Sequence, residues 1–368
     1  MQMDFHYYAT YCAAILAGYS HEESMDICYS AQFVDLCSKT LLGKIGAPAQ
    51  AATTQLQLEL MDGRSDLLAV QESTSIWSSF HFLPGNLHKE KNRRTKLYMD
   101  KYRLVCMPNG ELVKKTVQLA MGQSLQHVGI AMHVLADTWA HMFFAGTPSL
   151  VINNVTTGDF YEMKEDGTQS RIFFRHNPSV PDDPEKNLYT NSLYQSSETS
   201  VMNLGHGRAG HLPDYSYLKY RYLPAWSDYR MVLKDNPSDY MHAFCQMIYA
   251  LKKLRAGDDD IRTEIYDTDA IAGYEERIDG ILKKRQLIAC DDWKAFGEEL
   301  SGMAIPDFDI ETYQEEYMQA APDQKEETFL GRFIRAALAQ KRMVCEEIQS
   351  TGNLLTGIPM RRRKKDKK

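Results

Sequence analysis

One apolar stretch near the middle of the 368-residue chain constrains the fold most, because it carries polar side chains that are costly to bury. The stretch is GIAMHVLADTWAHMFFAG, residues 129–146. Apolar residues occupy nearly every face of a helix built from it, and the glycine at its end is typical of a helix stop. The sequence therefore predicts one buried central helix.

Three polar side chains interrupt this helix at spacings of four: His133, Asp137 and His141. At about 100° per residue, steps of four keep them on one face. Buried imidazole and carboxylate groups need partners, and a divalent metal ion supplies one. His133 and His141 lie about 12 Å apart along the axis, which favours two or more ions with Asp137 as a bridge. A hydrogen-bonded polar core is the alternative that this pattern leaves open.

The composition is that of a globular protein with 43% hydrophobic residues. No run of about 18 apolar residues occurs, and the amino end lacks the basic start and apolar stretch of a signal peptide, which predicts a cytoplasmic protein without a transmembrane segment. The seven cysteines are dispersed and form no CxxC pair. Any metal is therefore expected to be held by nitrogen and oxygen ligands.

The net charge of −7 conceals a basic carboxyl end. Residues 361–368, RRRKKDKK, carry seven basic and one acidic side chain, so the rest of the chain is acidic. An acidic body disfavours long nucleic acid as a ligand. The tail is suited to contact with an anionic surface, with a disordered, solubilising end as the alternative.

The overall pattern predicts a mainly α-helical protein. Residues 1–256 are expected to form a metal-binding helical domain with hairpin or loop insertions at about 50–110 and 150–186. Residues 257–352 are expected to form a helical appendage, and residues 353–368 a basic disordered tail.

Within the insertions, alternating leucines before Asp62-Gly63 predict a hairpin over residues 55–70, and Pro108-Asn109-Gly110 predicts another. The proline-rich excursion up to residue 186 has room for two short strands, and a helix is predicted for residues 187–204.

More histidine and acidic residues stand in short motifs outside the central helix. They are His6 in FHYYAT, Asp35 on the second predicted helix, His81 in FHFLPG, and His206, His211 and Asp214 in GHGRAGHLPD. Glycines let the last segment curl so that its side chains converge. An ordinary structural role is the alternative for each motif. Their number favours a multinuclear site, because one structural ion needs only four ligands. His176 belongs to no motif.

Together these motifs resemble those of an uncharacterised bacterial family, which is similar in turn to the zinc-dependent phospholipase C and single-strand nuclease superfamily. The chain order of the donors carries the resemblance, over roughly the first 225 residues. It implies a helical domain around a buried central helix and a cleft with up to three zinc ions, although iron or manganese would suit the same ligands.

Carried over by position, the resemblance implies three ligand sets. The first ion would be bound by Asp35, His81, His133 and Asp137. The second would be bound by His6, a group at the amino end, and Asp137 as a bridge. The third would be bound by His141, one or both of His206 and His211, and Asp214.

Three features depart from the superfamily. Its secreted members use the processed amino terminus as a ligand, whereas this chain begins at Met1 with no removable leader, so Asp4 is expected to replace that ligand unless the second ion is weak or missing. His141 follows Asp137 by four residues, where the phospholipases have six. His206 is followed at +4 by Gly210 instead of an acid.

The function that the resemblance implies is hydrolysis of phosphodiester or phosphomonoester bonds by metal-bound hydroxide, with Asp35 and Asp137 as catalytic residues. The substrate would be a small phosphoester or a phospholipid-like molecule. The alternative is a non-catalytic, metal-stabilised helical protein that binds a partner, in which protein atoms fill every coordination position.

Overall fold

The computed structural model describes residues 1–62, 67–175, 179–191 and 204–358. His176, the basic residues 361–368 and most of the helix predicted for 187–204 lie outside these ranges. Helices dominate the described residues, as the sequence predicts. They are α1 (Thr10–Leu16), α2 (His21–Phe33), α3 (Lys39–Lys44), α4 (Gln57–Asp62), α5 (Leu67–Phe80), α6 (Lys96–Tyr102), α7 (Glu111–Leu119), α8 (Leu125–Ala140), α9 (Leu150–Asn153), α10 (Asn236–Ala256), α11 (Glu275–Lys283), α12 (Cys290–Ser301), α13 (Gln314–Gln319) and α14 (Phe329–Ser350).

The predicted central helix is α8, which is buried over nearly its whole length and packs against α2, α7, α10 and α14. It ends at Ala140, earlier than the predicted stop at Gly146, and Phe143 adopts a left-handed conformation with φ of 81°. Gly146 is instead a point where the chain packs closely against the backbone of residue 78. A Cβ atom there would lie 2.5 Å from the backbone nitrogen of Ser78, too close for any other residue.

The tightest helix pair joins α2 to α8 at Gly129. A Cβ atom on Gly129 would meet the carbonyl oxygen of Ile27 and lie 2.5 Å from the Cβ of Ser30. Since glycine has no side chain, the two helices approach closely here. This contact fixes the carboxyl end of α2, where Asp35 follows, against the polar face of α8.

The C-terminal helices share the hydrophobic core of the N-terminal ones. α14 packs against α5, α7 and α8. α12 packs against α1 and against the π-helical turn Asp4–Ala9, which precedes α1. Trp293 of α12 is fully buried against Phe5. The division into domains at residue 256 stays a prediction, and no break in the core marks it among the described residues.

Both predicted hairpins are wrong. Residues 57–62 and 67–80 form α4 and α5, and the alternating leucines Leu56 and Leu58 are exposed instead of facing a core. At Pro108-Asn109-Gly110 the chain turns, but the flanking residues do not pair with each other. Val105 and Cys106 instead form isolated bridges to Ala145 and Pro84, and α7 begins directly after Gly110.

Two small sheets lie beside the helices. β1 (Tyr161–Met163) and β2 (Gln169–Arg171) form the two short strands predicted in the excursion, and β5 (Lys219–Tyr222) and β6 (Val232–Asp235) extend them to the antiparallel order β2-β1-β5-β6. β3 (Phe173–Arg175) pairs in parallel with β4 (Leu188–Thr190), so the predicted helix at 187–204 begins as a strand.

A second apolar cluster covers one face of these sheets and supports the glycine-rich motif. Phe160, Tyr220 and Tyr222 are buried in it together with Ala209 and Leu212. The sheets thus hold residues 204–215 against the end of α8. None of the helices in the described residues combines the length and apolar character that crossing a bilayer requires.

Replacing Gly129 by alanine tests the close contact between α2 and α8. We expect Gly129→Ala to lower the free energy of unfolding by about 1–3 kcal/mol, because the backbone of α2 must move. Gly280 is the matched control, since it lies inside α11 with open space where a Cβ atom would stand. Gly280→Ala should raise stability by about 0.5–1 kcal/mol. Denaturant unfolding of both variants measures the difference, and equal effects would contradict the packing argument.

Candidate metal centre

The amino-terminal segment brings its backbone and one histidine into the interior. His6 lies in the π-helical turn Asp4–Ala9 and is fully buried. The α-amino group of Met1 is also buried and lies 2.7 Å from Oδ1 of Asp137. It is 3.2 Å from Nε2 of His141 and 3.4 Å from Oδ1 of Asp214.

Asp35 lies in the turn directly after α2, whereas the sequence predicts it on the helix itself. The capping box of Ser20 and Glu23 begins α2, and the helix ends at Phe33. The side chain of Asp35 is 28% exposed, whereas those of His6, His133 and Asp137 are at most 1% exposed. Asp35 is thus a point where solvent reaches this group of side chains.

α8 presents His133 and Asp137 one turn apart, and His141 is its C-cap residue. His81 comes directly after α5, which packs against α8. Its ring contacts Trp77 on the same helix, with centroids 4.9 Å apart. The two helices therefore bring His81 to the polar face of α8.

Two short 3-10 turns, Gly207–Ala209 and Leu212–Asp214, complete the arrangement. Asn236, the first residue of α10, donates its amide to the carbonyl oxygens of Leu212 and Tyr215 at 2.8 Å each. This holds Asp214, which is 6% exposed, against the end of α8. The ring of His206 packs 4.7 Å from that of His141.

Asp137 lies at the middle of the assembly, and its two oxygens face different partners. Oδ2 is 3.2 Å from Nδ1 of His81 and 3.1 Å from Nε2 of His133. Oδ1 is 3.1 Å from Nε2 of His6 and 2.7 Å from the Met1 amino group. One buried carboxylate therefore joins two sets of nitrogen atoms.

Three groups of side chains have donor atoms close enough to hold a metal ion, within 4.8 Å of one another. They are His6, His133 and Asp137; Asp35, His81 and His133; and His141, His206 and Asp214. In the third group, Nε2 of His141 is 3.2 Å from Oδ1 of Asp214, and Nε2 of His206 is 3.6 Å from Oδ2. Cysteine belongs to none of these groups.

Three histidines each place one ring nitrogen against a backbone carbonyl group. Nε2 of His81 lies 3.0 Å from the carbonyl of Thr53, and Nδ1 of His141 lies 2.8 Å from the carbonyl of residue 81. Nδ1 of His206 lies 2.6 Å from the carbonyl of Gly210. The other nitrogen of each ring faces a carboxylate, so a neutral ring has one proton for two groups that only accept. A metal ion between the ring and the carboxylate would leave that proton on the carbonyl side.

Burial and charge favour neutral histidines beside ionised carboxylates. Burial lowers the pKa of His6, His133 and His206 to about 4 each. Desolvation alone would raise the pKa of Asp137, but His141, the amino terminus and His133 hold that pKa well below its usual range. Both forms are the ones that bind metal ions.

Two predicted residues take other positions. Asp4 joins none of the three groups, since its carboxylate accepts the backbone N–H groups of Phe5 at 2.8 Å and Ala289 at 2.9 Å. Burial raises its pKa to about 6. His211 is 61% exposed, and its Nδ1 lies 3.0 Å from Oδ2 of Asp214, which it orients from outside.

The Met1 amino group is a feature of the site that sequence reasoning does not predict. Asp4 is the replacement that the sequence suggests, but the structure puts the amino group itself between Asp137 and Asp214. Desolvation lowers its pKa, yet Asp137 and Asp214 outweigh this and raise the pKa to about 10. The sequence also gives no sign of the carbonyl groups of Thr53 and Gly210, because backbone acceptors belong to every residue type.

The carbonyl contacts make a prediction for the zinc-loaded protein. We expect His81 to carry its proton on Nε2, and His141 and His206 on Nδ1, because the ion would occupy the other nitrogen of each ring and the carbonyl groups accept the proton. Long-range proton–nitrogen NMR of protein labelled at histidine distinguishes the two forms. In the metal-free protein His206 should stay neutral down to pH 5, since its pKa is about 4. The opposite tautomers would contradict the carbonyl contacts.

Comparison with known proteins gives a family without a described activity. The model of a family of unknown function, DUF6765, matches residues 1–348. Neither a curated protein nor a solved structure matches the chain.

Proposed function

Because the chain belongs to DUF6765, a family of unknown function, we infer its activity from the geometry of the site. We propose that the protein is a metal-dependent hydrolase of phosphoester bonds with a multinuclear centre. The proposed substrate is a small phosphodiester or phosphomonoester, with phospholipid-like molecules included.

The position of Asp137 carries this proposal. A carboxylate whose two oxygens face separate sets of nitrogen donors is arranged as a bridge between two ions. A single structural ion would bind one set of nitrogen donors, and the other set would have no ion to bind. Asp137 faces the pair His81 and His133 with one oxygen and the pair His6 and Met1 with the other.

The spacing of the donors supports a common ion for each set. Two atoms bound at 2.0–2.1 Å to one tetrahedral ion lie about 3.3–3.4 Å apart. Nδ1 of His81 is 3.3 Å from Nε2 of His133, and both lie 3.1–3.2 Å from Asp137. In the third group His141 and Asp214 are 3.2 Å apart. These separations need little adjustment to enclose an ion.

The histidine tautomers supply a second argument. Metal-binding histidines generally donate their other ring N–H to a carbonyl or carboxylate, which fixes the ring and makes it more basic. His81, His141 and His206 each place one ring nitrogen against a carbonyl and the other against a carboxylate. Because both oxygens only accept and a neutral ring has one proton, an ion between the ring and the carboxylate would satisfy all three groups.

The proposed ligand sets follow the contacts. The first ion would be held by Asp35, His81, His133 and Asp137. The second would be held by His6, the Met1 amino group and Asp137. The third would be held by His141, His206 and Asp214. This is the arrangement that the resemblance to the phospholipase C and nuclease superfamily implies, with the amino group in place of Asp4 and Asp214 as the acid of the third set.

Nitrogen and oxygen donors without thiolate suit zinc, and also iron or manganese. Such ions, when bound, would lower the pKa of a water molecule and stabilise charge on the phosphoester oxygens. The chain itself would contribute Asp35, which is exposed enough to contact water and is proposed to orient it. His211 would keep Asp214 in position from the solvent side.

One observation favours the alternative, a non-catalytic protein stabilised by metal. His6, His133 and Asp137 are at most 1% exposed, as in a closed structural site. An open coordination position distinguishes the two functions. Adding inorganic phosphate to cobalt-loaded protein should change its visible absorption if a position is open. No change, together with no hydrolysis of bis(p-nitrophenyl) phosphate, would favour the structural role.

Asp137→Ala tests the bridge. We expect the wild-type protein to contain about two or three metal equivalents, and the variant to lose about two of them, because Asp137 contacts two donor sets. Hydrolysis of bis(p-nitrophenyl) phosphate should fall about 100-fold or more. Elemental analysis of protein prepared without added metal gives the first value, and initial rates give the second.

Two histidines of α8 provide the matched comparison. His133→Ala should lose about one equivalent, because the contacts of His133 with both of its groups use Nε2, and one nitrogen atom binds one ion. His127 lies on the same helix, bonded to Ser124 and outside all three groups, so His127→Ala should keep the full metal content. Equal metal content in wild type, Asp137→Ala and His133→Ala would contradict the multinuclear centre.

The Met1 amino group gives an independent test. A Gly-Ser extension in front of Met1 would convert the amino group into an uncharged amide, which is a poor ligand. We expect the extended protein to lose about one metal equivalent and to unfold at a lower temperature. The same two residues added after Lys368 should change neither value. Full metal content in the first protein would remove the amino group from the ligand set.

A further inference from the structure

Exposed apolar side chains occur at several places on the described residues, and one set of them lies where α5, α6 and the last described segment meet. Five of them, 48–76% exposed, belong to the first turns of these helices and to the last described segment: Leu67, Leu68, Leu97, Leu354 and Ile358. This set is called the docking face below. Exposed apolar groups that cluster in this way mark an interaction surface, whereas scattered ones do not.

Hydrogen bonds hold the three parts of the docking face together. Gln71 of α5 donates its amide to the carbonyl of Leu354 at 3.0 Å. Asn353, which is buried, donates to the carbonyl of Asp100 on α6 at 2.7 Å. Nζ of Lys96 lies 3.5 Å from the carbonyl of Gly352. Residues 352–354 are therefore held beside α5 and α6.

Positive charge lies on the α6 side of the docking face, although the chain as a whole is acidic. Residues 88–103 carry seven lysines and arginines and two acidic residues, and Asp228 adds one more acid through its contacts with Lys91 and Arg94. Arg93, Arg94 and Lys96 are exposed immediately before Leu97. The basic sequence RRRKKDKK begins three residues after Ile358.

We propose that the docking face binds the surface of an anionic lipid bilayer, with the leucines and Ile358 entering the headgroup region and the basic residues contacting lipid phosphates. Apolar area and basic charge each give marginal membrane binding alone, and the two together give stable attachment. Both occur here at one place, next to the point where the basic tail leaves the described chain.

Two other occupants fit less well. A second copy of the chain would place the same basic segment against itself, because a two-fold interface pairs identical surfaces. Single-stranded nucleic acid binds through exposed aromatic faces. The aromatic rings nearby are already covered by cations of the chain: Lys89 lies 4.7 Å from the centroid of Tyr102, and Arg94 lies 4.9 Å from that of Tyr98.

The proposal does not rest on the hydrolase function, because α5 separates the docking face from His81. Fourteen residues of α5 span about 20 Å. Membrane attachment and metal binding can thus succeed or fail separately, and the experiment measures attachment alone.

Sedimentation with lipid vesicles tests the docking face. We expect the full chain to sediment with vesicles of phosphatidylcholine mixed with phosphatidylserine, to stay in solution with phosphatidylcholine alone, and to be released by salt. Leu67→Glu combined with Leu97→Glu should lower the partition coefficient about tenfold or more. Arg93→Gln combined with Arg94→Gln and Lys96→Gln should have a similar effect, because these basic side chains are exposed beside Leu97.

Met303→Glu combined with Met318→Glu is the matched control, since both side chains are about half exposed and lie elsewhere, on the α12 to α13 side. This variant should bind vesicles as the wild type does. The proposal is overturned if the wild type fails to bind the mixed vesicles at low salt, or if the leucine variant binds them equally well. Binding of single-stranded nucleic acid without vesicle binding, or a dimer that the leucine variant abolishes, would assign the face to another occupant.

Discussion

The charge of Asp137 is the constraint on which the rest of the structure depends. A carboxylate buried inside an apolar helix is stable only if donors surround it. Here the donors are three histidine rings and an amino group, and they come from separate parts of the chain: His6, His81, His133 and Met1. Satisfying one side chain therefore brings the amino terminus and the end of α5 to the same face of α8. The proposed chemistry uses an arrangement that burial alone would already require.

The sequence is informative where polar residues interrupt an apolar background. It predicts His133, Asp137 and His81 as site residues for that reason, and the structure brings them together. The sequence does not show which of His206 and His211 belongs to the third group. That depends on the exposure of the two rings, and the structure leaves the ring of His211 far more exposed. The amino group of Met1 escapes such reasoning since a backbone group has no residue type, and Asp4 is occupied by the amide of Ala289, which lies 285 residues away.

The fold class follows from the sequence, and local details are lost where tertiary packing overrides pattern. Leucines alternating at 56 and 58 resemble a strand, yet no sheet in the described residues buries one face of them, and α4 and α5 form instead. Gly146 looks like a helix stop but is required by the backbone of Ser78. The C-terminal helices contain no histidine and are predicted to form a helical appendage. Their apolar faces enter the same core as α8, while the domain boundary stays a prediction. Composition indicates which residues of a helix can be buried, but it does not indicate which other element the helix packs against.

The long-range contacts around the amino terminus have a consequence for how the protein is made. Met1 and His6 are synthesised long before their partners Asp137 and Asp214, and Ala289, which positions Asp4, is synthesised later still. Until these partners are synthesised, residues 1–6 of the nascent chain cannot form their native contacts. Loop closure over such separations is slow. The ordered amino terminus is thus among the last features to form, and a ribosome-bound chain that ends before Ala289 lacks the support for it.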